Sequence, residues 1–530
     1  MHLENKKSNN LSTYISRIIV IIFCVILGLV LLFVVFYFQN IDFVLKKSFA
    51  NLNILWFVLA VILSALVLFM NFRFFDKLNK LNYINWKKFI LIGTIVLFIL
   101  QTIILLNKLF VAGWDVQLLY FTTPNDGFYY SQYPNNLFLK GLFIKISEIF
   151  KITGISKLFI VISTSIFPNS NIANSLNALS ASEYCSYFFA VLINCIMAIS
   201  TSIFIAYILK KYKSNKVSIL GFILCALYIG LMPWIIVPYS DIYTLFNTTF
   251  ILFLFLIIKR KTIKWPLIVI TSIIAFNIKP TSIFVVAAII ISLLVYRNRQ
   301  FKNIEWKKMF TTVLLTVLAG FLSLSFVNYC KTTTNINIDK NKEYSMTHFL
   351  MMGLNNKSDG FYNENDLSIS NQCANPDART SKNIDEVKNR LSKMGVFGTT
   401  KLFIKKLCGD YSDGTFMWET DAGSGFSILN ITNNQIIDNF YKNYGPLAQT
   451  LWFFILIGCI LCIFCKKISK PVFIAAITLL MLTTYLMIFE SGARYLVQYL
   501  SFFVIMSIFG WCNTFDIIQK KLNKKYEFNK

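Results

Sequence analysis

Five ionisable side chains stand where long apolar runs end: Asp115, Asp126, Asp241, Lys279 and Arg494. A carboxylate beside a hydroxyl can take its proton while the oxygen attacks. A fixed cation can stabilise the negative charge that gathers on a departing group. Together they hold the parts of a displacement in which a proton is removed and an anion leaves. Charge next to a membrane span is costly unless it has a partner or a task. The plain alternative for each residue is a helix-end side chain that reaches water along its own stem.

The local sequences sharpen this. Asp115 closes Val111-Ala112-Gly113-Trp114-Asp115, and Asp126 lies in the turn-like Pro124-Asn125-Asp126-Gly127. Asp241 ends Pro238-Tyr239-Ser240-Asp241, Lys279 begins Lys279-Pro280-Thr281, and Arg494 follows Glu490-Ser491-Gly492-Ala493. Tyr133, Asn135 and Asn136 of Tyr133-Pro134-Asn135-Asn136 could hold a substrate, and Pro and Asn equally suit a helix start. His348 is one of 2 histidines, and Trp114 has the character of an interface anchor. Asp413-Gly414-Thr415-Phe416-Met417-Trp418-Glu419 could either touch substrate or dock its loop.

The elements that must carry these residues follow from composition. The chain has 530 residues, 56% of them hydrophobic and 14% charged. A soluble chain carries about 25% charged residues. Mean hydropathy is +0.61. Apolar runs of about twenty residues recur, each able to cross about 30 Å of hydrocarbon. The expected fold is an all-α polytopic membrane protein with twelve transmembrane helices, near 14–39, 52–72, 88–110, 184–209, 217–237, 242–258, 266–278, 281–296, 309–330, 447–465, 471–489 and 494–514. The first run is too long for a signal-peptide core and is read as retained. Interfacial helices are expected in the first outer loop, with a mixed α/β or irregular outer capping region.

The net charge of +26 comes from short Lys/Arg clusters between apolar runs, not from a nucleic-acid surface. Seven such clusters precede the first run or follow every even-numbered one, the last being Lys520, Lys521, Lys524 and Lys525. The positive-inside rule then puts both termini in the cytoplasm and the acids above outside, in a plasma membrane. The chain divides into 1–110 with three spans, 111–183 as first outer loop, 184–330 with spans four to nine, 331–446 as a capping segment, and 447–530 with the last spans and tail. The 11 cysteines mostly lie inside apolar runs as packing residues, and Cys373 and Cys408 lie in a polar loop where they could pair.

Outside the cell a nucleotide donor is scarce, and no glycine-rich phosphate loop is present. A polyprenyl-phosphate sugar fits, because its leaving phosphate needs positive charge and not a strong acid. Trp114-Asp115, Tyr133-Pro134-Asn135-Asn136, Pro238-Tyr239-Ser240-Asp241, Lys279-Pro280-Thr281, His348-Phe349-Leu350-Met351-Met352-Gly353-Leu354 and Arg494-Tyr495 resemble the GT-C superfamily of integral membrane glycosyltransferases. The likeness is to the protein O-mannosyltransferase and aminoarabinose transferase branch, over about 111–500. It implies an inverting transfer with Asp115 as general base or acceptor-orienting group, Asp126 or Asp241 as second acid, and Lys279 and Arg494 on the donor phosphate. Many relatives have a second acid beside the first, where this chain has Val116. No cofactor is expected, with a divalent metal as the alternative. The expected partners are the lipid-linked donor, membrane lipids, and an envelope glycan, teichoic acid, lipid or protein acceptor. The rival readings are a flippase or transporter of a lipid-linked saccharide, which would suit the broken stretch at Lys279-Pro280, and a polysaccharide polymerase or ligase.

Overall fold

A computed structural model describes residues 2–36, 52–107, 114–120, 126–166, 180–296, 305–418 and 435–528. Every regular element among them is helical. The amino-terminal third holds α1 (His2–Phe36), α2 (Asn53–Arg73) and α3 (Trp86–Asn107). The short α4 (Trp114–Tyr120) and α5 (Asp126–Gln132) lead into α6 (Leu137–Ile152) and α7 (Ile155–Ile166). Then come α8 (Ala181–Tyr212), α9 (Asn215–Cys225), α10 (Ser240–Ile257), α11 (Lys261–Ile278), α12 (Ile283–Val295) and α13 (Trp306–Thr332). The polar segment folds as α14 (Met346–Gly353), α15 (Glu364–Asn371) and α16 (Pro376–Tyr411), and α17 (Gln435–Ile460), α18 (Lys470–Ile488) and α19 (Leu500–Phe528) close the bundle.

Among the described residues, 10 helices are long and apolar enough to cross a membrane. The other two runs expected, 217–237 and 281–296, are present as apolar helices of 10–17 residues, Asn215–Gly230 and Pro280–Val295. Such helices are at most about 26 Å long, short of the ~30 Å hydrocarbon thickness. A proline follows the first of these and opens the second. Pro233 opens a separate 3₁₀ turn after Gly230, and Pro280 opens one before Ile283. The capping segment is corrected: residues 331–418 contain helices and irregular connections, with no strand. Its helix starts are encoded locally. Asn363 caps α15, and Asn375 caps α16 with Pro376 in the first turn. Gly395 (φ 60°) breaks α16 into 376–394 and 396–411.

The bundle has two chemically distinct ends. At one, Lys210 lies over the Trp86 ring at 4.1 Å and Lys213 over Phe509 at 4.9 Å. There Lys216 donates to Asn71 Oδ1 at 2.8 Å, Lys211 donates to the Leu256 carbonyl, and Lys470 lies over Tyr296 at 5.7 Å. Among the described residues, the Lys210–Lys216 cluster, the end of α10 and Lys470 thus share one end. At the other, Tyr344 N–H donates to the Gln132 carbonyl (3.2 Å), Lys331 donates to Asn277 Oδ1 (2.8 Å), and Glu490 N–H donates to the Phe349 carbonyl (3.1 Å). We call these the basic end and the loop end. Between them the core is apolar, centred on the fully buried Trp234 and Trp452. On α7, Ile155, Leu158, Val161 and Ile162 are exposed along one face, as expected of a helix lying on an apolar medium.

Candidate functional site

Three of the ionisable residues meet at the loop end. Asp241 occupies the first turn of α10, where unpaired N–H groups and the helix dipole favour an anion. Lys279 follows α11. The residue before a proline is driven out of the helical region, and Lys279 is extended at φ −149°, ψ 109°, ahead of Pro280. Its ammonium therefore leaves the helix end and reaches Asp241 Oδ1 at 2.8 Å. Arg494 opens the Ala493–Tyr499 3₁₀ turn, with Nε 3.8 Å from Asp241 Oδ2. That distance is an ion pair but too long for a hydrogen bond. Asp241 is 1% exposed, and its Oδ2 accepts no hydrogen bond among the described residues.

Aromatic rings and polar side chains fix the geometry. The Lys279 ammonium sits 4.8 Å from the Tyr495 ring centroid, and the Arg494 guanidinium sits 5.5 Å from Tyr239 and 5.9 Å from Tyr495. Thr281 Oγ1 donates to Gln498 Oε1 (2.7 Å), and the Tyr499 hydroxyl donates to the Thr281 carbonyl (2.7 Å). These bonds lock the Lys279-Pro280-Thr281 turn to the turn bearing Arg494. Burial lowers the Lys279 pKa, while Asp241 opposes that shift and Glu490 does so more weakly. Lys279 and Asp241 thus form a buried pair.

The first loop joins this cluster through tyrosines. Asn136 Nδ2 donates to the Tyr129 hydroxyl at 2.7 Å and to the Tyr239 hydroxyl at 3.3 Å, and Asn135 Nδ2 donates to Asn136 Oδ1 at 3.3 Å. Trp114 and Asp115 begin α4, and their side chains lie outside the described residues. The far end of that helix is anchored beside the cluster, because the Tyr120 hydroxyl donates to the Pro238 carbonyl at 2.8 Å. Asp126 forms a separate buried pair with Lys140 at 3.2 Å, and Lys140 also donates to the Leu118 carbonyl. That pair ties α4, α5 and α6 together. Burial lowers the Lys140 pKa against the pull of Asp126.

His348 is fully buried in the capping segment. It stacks on Tyr344 (4.0 Å), which meets Tyr133 edge-on (5.3 Å). Its Nδ1 lies 2.7 Å from Ser370 Oγ, and Ser370 gives its one proton to Asn383 Oδ1. The ring therefore donates from Nδ1, and Nε2 has no partner among the described residues. Burial holds the His348 pKa down at about 4. The 413–418 segment docks its loop: Asp413 accepts from Thr415 and Met417 N–H, and Phe416 packs edge-on against Trp452 at 5.2 Å. Cys373 and Cys408 are free thiols.

One buried cation was not singled out from sequence. Lys406 donates to the carbonyls of Gly353 (2.7 Å), Met487 (2.9 Å) and Phe489 (2.7 Å), and burial brings its pKa down to about 7. Beside it the Ser491 hydroxyl donates to Asp410 Oδ2 at 2.6 Å. The i, i+4 pairing of Lys406 with Asp410 amid apolar residues was the available signal. This knot fastens the end of α18 three residues before Arg494.

A groove of about 330 Å³ opens between α11 and α13, lined by Ile270, Ile274, Leu315, Leu318, Leu322 and Phe326 among others. It lies on the same helix that ends at Lys279. Among the described residues no three His, Cys, Asp or Glu side chains gather as a metal site.

A family model described as conserved hypothetical integral membrane protein matches residues 179–515, well over half of the chain. The matched stretch contains Asp241, Lys279, His348 and Arg494, while Asp115, Asp126, Tyr133, Asn135 and Asn136 precede it. No curated protein and no solved structure matches the chain.

Proposed function

The chain belongs to the conserved hypothetical integral membrane protein family, and from its loop-end cluster we propose that it is an inverting glycosyltransferase using a polyprenyl-phosphate sugar. One observation carries the reading: a buried carboxylate oxygen, Asp241 Oδ2, lacks a hydrogen bond among the described residues while two cations flank the same carboxylate. An unfilled buried acceptor costs about 1–3 kcal/mol, and a substrate hydroxyl would fill it. Lys279 and Arg494 would face the donor phosphate. The apolar groove along α11 offers a path for the polyprenyl tail toward Lys279.

In this reading the acceptor oxygen attacks the sugar's anomeric carbon opposite the phosphate. The bond from that carbon to the phosphate oxygen breaks, so configuration inverts. Asp115 takes the acceptor's proton, Asp241 orients the hydroxyl and holds the cations, and polyprenyl phosphate departs against Lys279 and Arg494. Asn136 and Tyr239 frame the sugar, and His348 with Tyr133 steadies the cap. The site faces outward from a plasma membrane with both termini cytoplasmic. The acceptor is an envelope glycan, teichoic acid, lipid or protein. A second reading, transport of a lipid-linked saccharide, draws on the interruption at Lys279-Pro280, because transporters bind substrate at broken helices.

The test is complementation in a strain where loss of the gene removes a sugar from an envelope polymer. Asp115→Asn and Asp241→Asn, at normal membrane levels, should leave that sugar missing. Full restoration by both variants would overturn the assignment of the acids.

A further inference from the structure

A second cavity lies in the capping segment, apart from the Asp241 cluster. It has a volume of about 700 Å³ and is walled by the turn after α14, by α15 and by both halves of α16. That volume is in the usual range of small-molecule sites. The bend at Gly395 shapes it, since Met394 and Gly398 line it from either side.

Its charges are unequal in kind. The acids are already satisfied. Arg390 holds Asp366 at 2.6 Å and Glu386 at 2.8 Å, and Lys405 holds Asp359 at 2.7 Å. Asn355 adds a hydrogen bond to Asp366 at 2.9 Å. Neutralised in this way, the carboxylates are poor candidates for a divalent cation. Lys357, Lys393 and Lys401 also line the cavity, are exposed, and pair with no carboxylate among the described residues. Five cations against three acids leave the lining at +2. Five asparagines contribute amide groups. No aromatic ring lines the cavity, so it lacks the stacking platform that single-stranded nucleic acids use.

We propose that this cavity binds a phosphorylated polyol or saccharide, with the rim lysines on the phosphate and the amides on the hydroxyls. The site stands whether or not the Asp241 cluster transfers sugar. It is also mechanically close to that cluster. Ser491 N–H donates to the Gly360 carbonyl at 2.9 Å, so the turn carrying Asp359 is fastened three residues before Arg494.

The test uses the full chain in nanodiscs of zwitterionic lipid, titrated calorimetrically with glycerol 3-phosphate, glycerol and inorganic phosphate. Glycerol 3-phosphate should bind tightest, more weakly as salt rises. The exposed double variant Lys393→Glu/Lys401→Glu should cost about tenfold in affinity by replacing attraction with repulsion. Nanodiscs containing phosphatidylglycerol distinguish the ligand's source: loss of soluble-probe binding there identifies a lipid headgroup, and its persistence identifies a soluble or polymer-borne phosphate. Equal affinity for glycerol, unchanged affinity in the double variant, or no binding at millimolar probe would overturn the proposal.

Discussion

Asp241 lies in the first turn of α10, at the positive end of the helix dipole. Lys279 then pairs with one oxygen at hydrogen-bond distance, and Arg494 stands 3.8 Å from the other. Toward Asp241, then, Arg494 adds positive charge without the close contact that Lys279 makes. Arg494→Lys keeps the charge but loses the planar fork. We expect transfer to fall about tenfold with the protein still folded, measured as envelope sugar content; unchanged content would remove Arg494 from the donor site. His348 makes a separate prediction. Its folded pKa of about 4 lies below the ordinary 6.5, so the unfolded chain takes up the proton first. Stability contributed by neutral His348 is complete above pH 6.5 and declines as pH falls toward about 4. The loss is on the order of 3 kcal/mol. Protection factors in 346–371, corrected for the intrinsic exchange rate at each pH, should fall over that interval, and His348→Gln should flatten the trend. A wild-type cap indifferent to pH would contradict the buried neutral ring.

The lower half of α16, 396–411, is the element that joins cap to bundle. Lys406 satisfies three carbonyls from two other segments, and Gly353 approaches the Phe489 backbone so closely that a Cβ there would sit 2.4 Å from it. Lys406→Met would leave those carbonyls without their donor, and a few kcal/mol of stability should go with it. The expected signature is faster hydrogen exchange over 487–494 and a lower Tm, and an unchanged Tm would show that the methionine replaces the knot by packing. Such an element was only partly legible in advance. Asn375-Pro376 announces its start, and apolar spacing its helicity. The burial of Lys406 depends on contacts more than 50 residues away, with Met487 and Phe489. The convergence at Asp241 was better marked, since each partner lies beside a proline or glycine that ends an element: Pro238, Pro280 and Gly492.

At the scale of the molecule, the Lys/Arg clusters ordered the ends of the bundle because each is short and sits between apolar runs. Their grouping appears in the contacts of Lys210, Lys216 and Lys470. Length misled where Pro233 intervened, since the run expected at 217–237 ends as a helix at Gly230, while that expected at 281–296 keeps its length as Pro280–Val295. The inside–outside sense is testable with single cysteines in a cysteine-free background. Asn356→Cys in the cap should react with an impermeant maleimide in intact cells, and Lys467→Cys only after permeabilisation; the reverse pattern would put the site in the cytoplasm. The most direct measurement is transfer itself. The purified chain is reconstituted in proteoliposomes carrying radiolabelled lipid-linked sugars and envelope acceptor from its own source membrane, and label is followed from lipid to acceptor. The wild type should move label to the acceptor, and Asp241→Asn should reduce the rate at least ~100-fold, the scale of losing a positioned catalytic group. Label that crosses the bilayer without reaching any acceptor, or undiminished transfer by Asp241→Asn, would contradict the account.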